Sequence, residues 1–124
     1  MDWLPEPIPD EDDIYHRVHK TWIKPDLIEP AAFANSPRGS ASMSVDWSKY
    51  SSAHETRARA KKPVENAVVL FEVGDVRAVP GQKVEHSPRS DNRSHSEVIG
   101  NKSPQVRLML SRIYRLVIPL GQTL

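Results

Sequence analysis

The side chains able to do chemistry in this 124-residue chain are arginines, histidines and carboxylates; there is no cysteine. Arg17 and His19 stand two apart near the start, and His86 and His95 flank a polar stretch later on. A neutral imidazole can take a proton, a protonated one can give it back, and a guanidinium can steady charge developing on a phosphate. Arg17, His19, His86 and His95 are therefore the Arg/His set that could act on phosphate esters.

Whether the histidines meet depends on the strands that carry them. Residues 83–86 and 95–99 read as a hairpin around a polar loop with Pro88, Asp91 and Asn92. If Ser87 opposed Ser94, His86 would sit opposite His95 on a shared face. If Val84 opposes Val98, both valines turn inward with His86, while His95 and Glu97 face outward with Glu85. The second register buries the apolar side chains together and is the one expected.

Other machinery is missing. Glycine occurs only at 39, 74, 81, 100 and 121, so there is neither a P-loop nor a dinucleotide fingerprint. No Gly-x-Ser-x-Gly elbow is present. His54-Glu55 opens like a zinc-protease helix, but Ala58 stands where the second ligand is needed, and His16 and His19 point to opposite faces of a strand. No metal site and no cofactor is expected. The absence of cysteine excludes disulfides, zinc knuckles, iron–sulfur clusters and thiol catalysis.

Around these residues the chain alternates between strand and helix signals. Residues 14–19 place Ile14, His16 and Val18 on one face of a strand and Tyr15, Arg17 and His19 on the other. Prolines at 25, 30 and 37 interrupt the stretch from Lys20 to Gly39, and Pro30-Ala31-Ala32-Phe33 can make one helical turn. In a second strand over 41–47, Met43 and Val45 oppose Ser42, Ser44 and Asp46. Ser52 and Glu55 form a capping box that starts a helix over 53–61, stopped by Pro63. The apolar run Val68-Val69-Leu70-Phe71 marks a strand over 66–73 buried on both faces and ended by Gly74-Asp75. Ser103-Pro104 supplies an N-cap and a first-turn proline for a helix over 104–117. Val106, Met109, Leu110, Ile113, Leu116 and Val117 share one side of it. Trp22 and Trp47 are expected in or at the edge of the core. With few helices between strands, this predicts an α+β fold: a small, mostly antiparallel sheet of four to five strands with two main helices, about 53–61 and 104–117.

Arg17 on an opening strand, a serine-bearing second strand, the helix start Ser51-Ser52-Ala53-His54-Glu55 and a hydrophobic strand resemble the RES-type branch of the ADP-ribosyltransferase fold over about residues 14–73. That resemblance implies action on NAD, with Arg17 on the pyrophosphate and Glu55 as the acidic residue, and makes Arg17, His19, Glu55 and His95 the candidate catalytic set of a small phosphate- or NAD-handling enzyme. No aromatic clamp comes after these motifs.

Charge is strongly segregated. Residues 1–13 hold Asp2, Glu6, Asp10, Glu11, Asp12 and Asp13 with no lysine or arginine, while the remainder sets 17 Lys and Arg against ten acids. Such asymmetry points to anionic partners or to a tail that folds back over the basic surface. With three prolines and little apolar area, residues 1–13 are expected to form a disordered acidic arm on a single domain over 14–124. Trp3 and Leu4 would anchor that arm on a protein partner. The leading expectation is thus a non-catalytic interaction protein, a small subunit or regulator docking through arm and body. Arg57, Arg59, Lys61 and Lys62, with Arg107, Arg112 and Arg115, would form the basic surface, and salt-sensitive contact with nucleic acid is a third expectation. No apolar run is long enough for a membrane span and the acidic start does not suit a signal peptide, so a cytoplasmic location and no membrane contact are expected.

Overall fold

A computed structural model describes residues 3–25, 27–37 and 41–121. The class is α+β. Six strands, β1 (Asp13–His19), β4 (Ser42–Trp47), β5 (Asn66–Glu72), β6 (Lys83–His86), β7 (His95–Ile99) and β8 (Arg115–Ile118), form one antiparallel sheet. Their order is β6-β7-β4-β1-β5-β8. The two-residue strands β2 (Ile23–Lys24) and β3 (Leu27–Ile28) pair separately. The helices are α1 (Ala53–Ala58), α2 (Val73–Arg77) and α3 (Pro104–Leu110). The sheet is therefore larger than the four to five strands expected, and a third short helix is present.

The alternation read from the sequence decides which face is buried. Ile14, Val18, Met43, Val45, Trp47, Val69, Phe71, Val84 and Val98 fill the main core on one face, with Phe33 and Leu110 closing it. On the opposite face α1 covers only one end, where Ala53 meets Val68 and Ile118, with Tyr15 alongside. β5 is thus covered on both sides, as its unbroken apolar run requires. The capping box at Ser52 and Glu55 is present, and so is the Ser103 cap with Pro104 in the first turn.

Three boundaries differ from expectation. The helix expected over 104–117 stops after Leu110, and Arg115–Ile118 becomes β8, paired to β5. Pairing there gives the backbone hydrogen bonds a last helical turn would have given, and the β-branched Val117 and Ile118 suit it. Leu116, Val117 and Met109 consequently stay exposed instead of closing the core. The helix expected over 53–61 ends at Ala58. The strand expected over 66–73 ends at Glu72, and Gly74-Asp75, expected to end it, lies inside α2.

From Trp3 onward the acidic leader lies against the body. Ile8 lies in the main core, 4% exposed. Arg77 donates to Ile8 O and to Asp10 Oδ1, both at 2.7 Å, and Trp47 Nε1 donates to Asp12 Oδ2 at 2.9 Å. Glu6 accepts from Lys49 at 2.6 Å and from the Tyr50 hydroxyl, while its backbone N–H donates to His86 Nδ1 at 3.0 Å. The chain passes so close to α2 that a Cβ on Gly74 would lie 3.2 Å from Asp10 Cβ and Asp10 O. Of the two consequences drawn from segregated charge, the fold-back over the basic body is the one seen. One buried isoleucine and a row of cations on the body offset the ordering cost of a proline-stiffened segment.

Candidate ligand cleft

β1 and β4 pair only at Ile14–Trp47 and Tyr15–Asp46. Beyond that point they part, and the His16 ring fills the gap, with Nδ1 3.0 Å from Ser44 O and Nε2 3.0 Å from Ala32 O. Burial is the largest influence on His16 and pulls its pKa below the usual imidazole value; the two carbonyls act against it. A cleft of about 650 Å³ opens over this split, on the polar face that α1 leaves uncovered.

The strands deliver side chains to the cleft by simple alternation. Tyr15, Arg17 and His19 come from β1, Ser44 and Asp46 from β4, and His95 from β7, where it pairs with Asp46. Val84 opposes Val98, so the hairpin takes the expected register and puts His86 and His95 on opposite faces. Arg59, the C-cap of α1, enters from one side, and Arg89, Asp91 and Asn92 of the β6–β7 loop enter from the other.

Asp46 is the pivot. It is 5% exposed, accepts from Arg59 Nη1 on one carboxylate oxygen and from Asn92 Nδ2 on the other, each at 2.9 Å. Arg17 donates to Thr56 O at 2.8 Å. Neither Arg17 nor Arg89 forms an ion pair with the described residues. Burial pulls the Arg17 pKa below the usual guanidinium range; the charge of Asp46 opposes this and that of Arg59 adds to it. His95 is 6% exposed, with Nδ1 2.9 Å from Ser87 O and 3.0 Å from Ser87 Oγ. Its Nε2 is buried without a partner among the described residues.

Three of the four candidate catalytic residues, Arg17, His19 and His95, therefore line one cleft. His19 stands at the rim, 3.5 Å from Glu65. Glu55 is not among the lining residues; it accepts from Ser52 N at 2.9 Å and serves as the helix cap. The role implied for it by the ADP-ribosyltransferase resemblance has no counterpart in this geometry. The expected basic surface is also divided. Arg57 is fully buried, its Nε donating to Pro63 O at 3.0 Å, and Arg59 is paired with Asp46. Lys61 and Lys62 are exposed beyond α1. Arg107 belongs to α3, across the sheet from α1, Arg112 follows it, and Arg115 lies on β8 rather than on a helix. Of the expected leader anchors, Trp3 has the Arg93 guanidinium over its ring at 5.7 Å and Leu4 is 82% exposed. Trp47 is a core residue as expected, whereas Trp22, 38% exposed, lines the cleft.

Asp46, Arg89 and Asn92 were missed as site residues. The signal for Asp46 was its place on the polar face of the second strand; the loop residues carried none. Among the described residues no group of three His, Asp or Glu side chains is placed to hold a metal ion, and no helix is long and apolar enough to cross a membrane. Comparison with protein-family models, with curated proteins and with solved structures finds no match to this chain.

Proposed function

We propose that this protein binds a small phosphorylated molecule in the cleft over the β1–β4 split. The observation that carries this reading is the convergence of Arg17, Arg59 and Arg89, from a strand, a helix end and a loop, on one cleft of about 650 Å³. Asp46 answers the charge of Arg59, but Arg17 is desolvated and, among the described residues, donates only to a carbonyl. A half-buried cation in no ion-pair contact, its nearest carboxylate already engaged by Arg59, costs free energy, and a phosphate entering the cleft offsets that cost through charge-assisted hydrogen bonds. The volume falls within the range of small-molecule sites, roughly 300–1,000 Å³. Docking of a free acidic arm to a partner draws less support, because Glu6 and Asp10 already bind cations of the same chain.

Titration calorimetry with inorganic phosphate, pyrophosphate and ribose 5-phosphate tests the proposal. The exposed loop variant Arg89→Gln is expected to lower affinity about tenfold, the equivalent of ~1.4 kcal/mol. Arg17→Gln should do the same or more. Absence of binding by the wild type, or equal affinity in wild type and Arg89→Gln, would reject it.

A further inference from the structure

The orphaned ring nitrogen of His95 narrows the ligand class. Nδ1 lies 2.9 Å from a carbonyl oxygen, Ser87 O, and a carbonyl can only accept. Nδ1 therefore carries the proton, and in the neutral ring Nε2 presents a lone pair. That nitrogen is buried, has no partner among the described residues, and belongs to a residue lining the cleft. The dianion of a phosphate ester, the form present above its second pKa of about 6, keeps no P–OH to donate, so this lone pair would meet only acceptors on it. It needs a donor.

We infer that the ligand carries a hydroxyl beside its phosphate, so that the arginines hold the anion and His95 Nε2 accepts from the hydroxyl: a sugar phosphate or similar phosphorylated polyol, not a bare phosphate or an alkyl phosphate. This inference rests on the phosphate-binding reading of the same cleft. A buried acceptor left unmade costs on the order of 1–3 kcal/mol, so a ligand that satisfies it gains selectivity over one that does not. Sites built to hydrogen-bond a hydroxyl reject analogues lacking it. Nε2 is closed to solvent, so the ligand must shift a neighbouring side chain to reach it.

The test compares ribose 5-phosphate with n-pentyl phosphate, which keeps the phosphate ester and the carbon count but has no hydroxyl. At about pH 8, where both esters are dianions, the wild type should prefer the sugar phosphate at least tenfold, and His95→Phe should erase that preference by weakening ribose 5-phosphate binding. Nitrogen-15 NMR of the wild type gives a second readout independent of the variant's folding. Ribose 5-phosphate should shift the Nε2 resonance in the direction of an accepted hydrogen bond, and n-pentyl phosphate should not. Equal affinity for the two esters, with Arg89→Gln still weakening both, would overturn the hydroxyl inference and leave phosphate binding standing. Protonation of Nε2 by inorganic phosphate alone would overturn it too, because the ring would then donate to the anion. Failure of every phosphate probe to bind would remove both.

Discussion

Arg59 Nη1 lies 2.9 Å from Asp46 Oδ2, tying the end of α1 to the strand that floors the cleft. The other oxygen of the same carboxylate holds Asn92, on the loop across the cleft. One buried acid thus sets the distance between two walls. Asp46→Ala should cost about 2–3 kcal/mol of stability, less than the ~3–5 kcal/mol of fully buried pairs because Arg59 keeps 30% exposure. It should also weaken phosphate binding, since Arg59 and Asn92 both lose their anchor. Urea denaturation of Asp46→Ala, Arg59→Leu and the double variant checks this. A coupling energy near zero in that cycle would mean the pair does not act as a unit.

The leader gives a second prediction, on stability instead of binding. Ile8 is buried in the main core, so Ile8→Ala should cost roughly 2–4 kcal/mol, the range for removing a buried isoleucine side chain. Glu6 differs in kind. Hydrogen bonds from Lys49 and then from Tyr50 hold its carboxyl below the usual 4.5. A carboxyl depressed in the folded state contributes stability that is complete above the unfolded pKa and is lost as pH falls through the folded value. Glu6→Gln should therefore change little in very acid solution and lower stability above about pH 4.5. Thermal melts of the two variants at pH 3 and pH 7 check both statements. An unchanged midpoint for Ile8→Ala would mean that the leader is free after all.

Strand positions were the legible part of this sequence, because alternation is a local signal. Val84 opposite Val98 is the register that buries both valines, and it also puts His95 on the face of Asp46 and Arg17. The capping box at Ser52 was equally local. What could not be read depends on contacts between distant segments. Arg57 and Arg59 look alike in a basic run, yet one is buried against Pro63 O and the other reaches Asp46 across the cleft. The leader looked disordered because its partners, Arg77, Lys49 and Trp47, lie 35 or more positions away. The 104–117 stripe satisfied helical periodicity, but β5 needed a partner on its free edge, and pairing with Arg115–Ile118 overrode it.

Lys102 gives the third prediction, at alkaline pH. It is 8% exposed, and its ammonium donates to Val98 O at 3.0 Å and Gly100 O at 2.7 Å. No carboxylate among the described residues pairs with it to balance the charge. Burial lowers its pKa to about 8 from 10.5. Between those two values the unfolded chain binds more protons than the folded one, so the lysine's contribution to stability rises with pH across that window. It is complete above the unfolded value and lost as pH falls through 8. Lys102→Met removes this titration while keeping an unbranched side chain of similar length. The difference in unfolding free energy, wild type minus Lys102→Met, should be flat below pH 8 and should climb towards pH 10.5. Chemical denaturation at half-unit pH steps measures it, and NMR of the Nζ group should show the same midpoint near 8. A difference that stays constant across the window would show that the ammonium titrates alike in both states. The two carbonyls would then compensate the desolvation in full, and the end of β7, the strand that carries His95, would be held by an ordinary lysine.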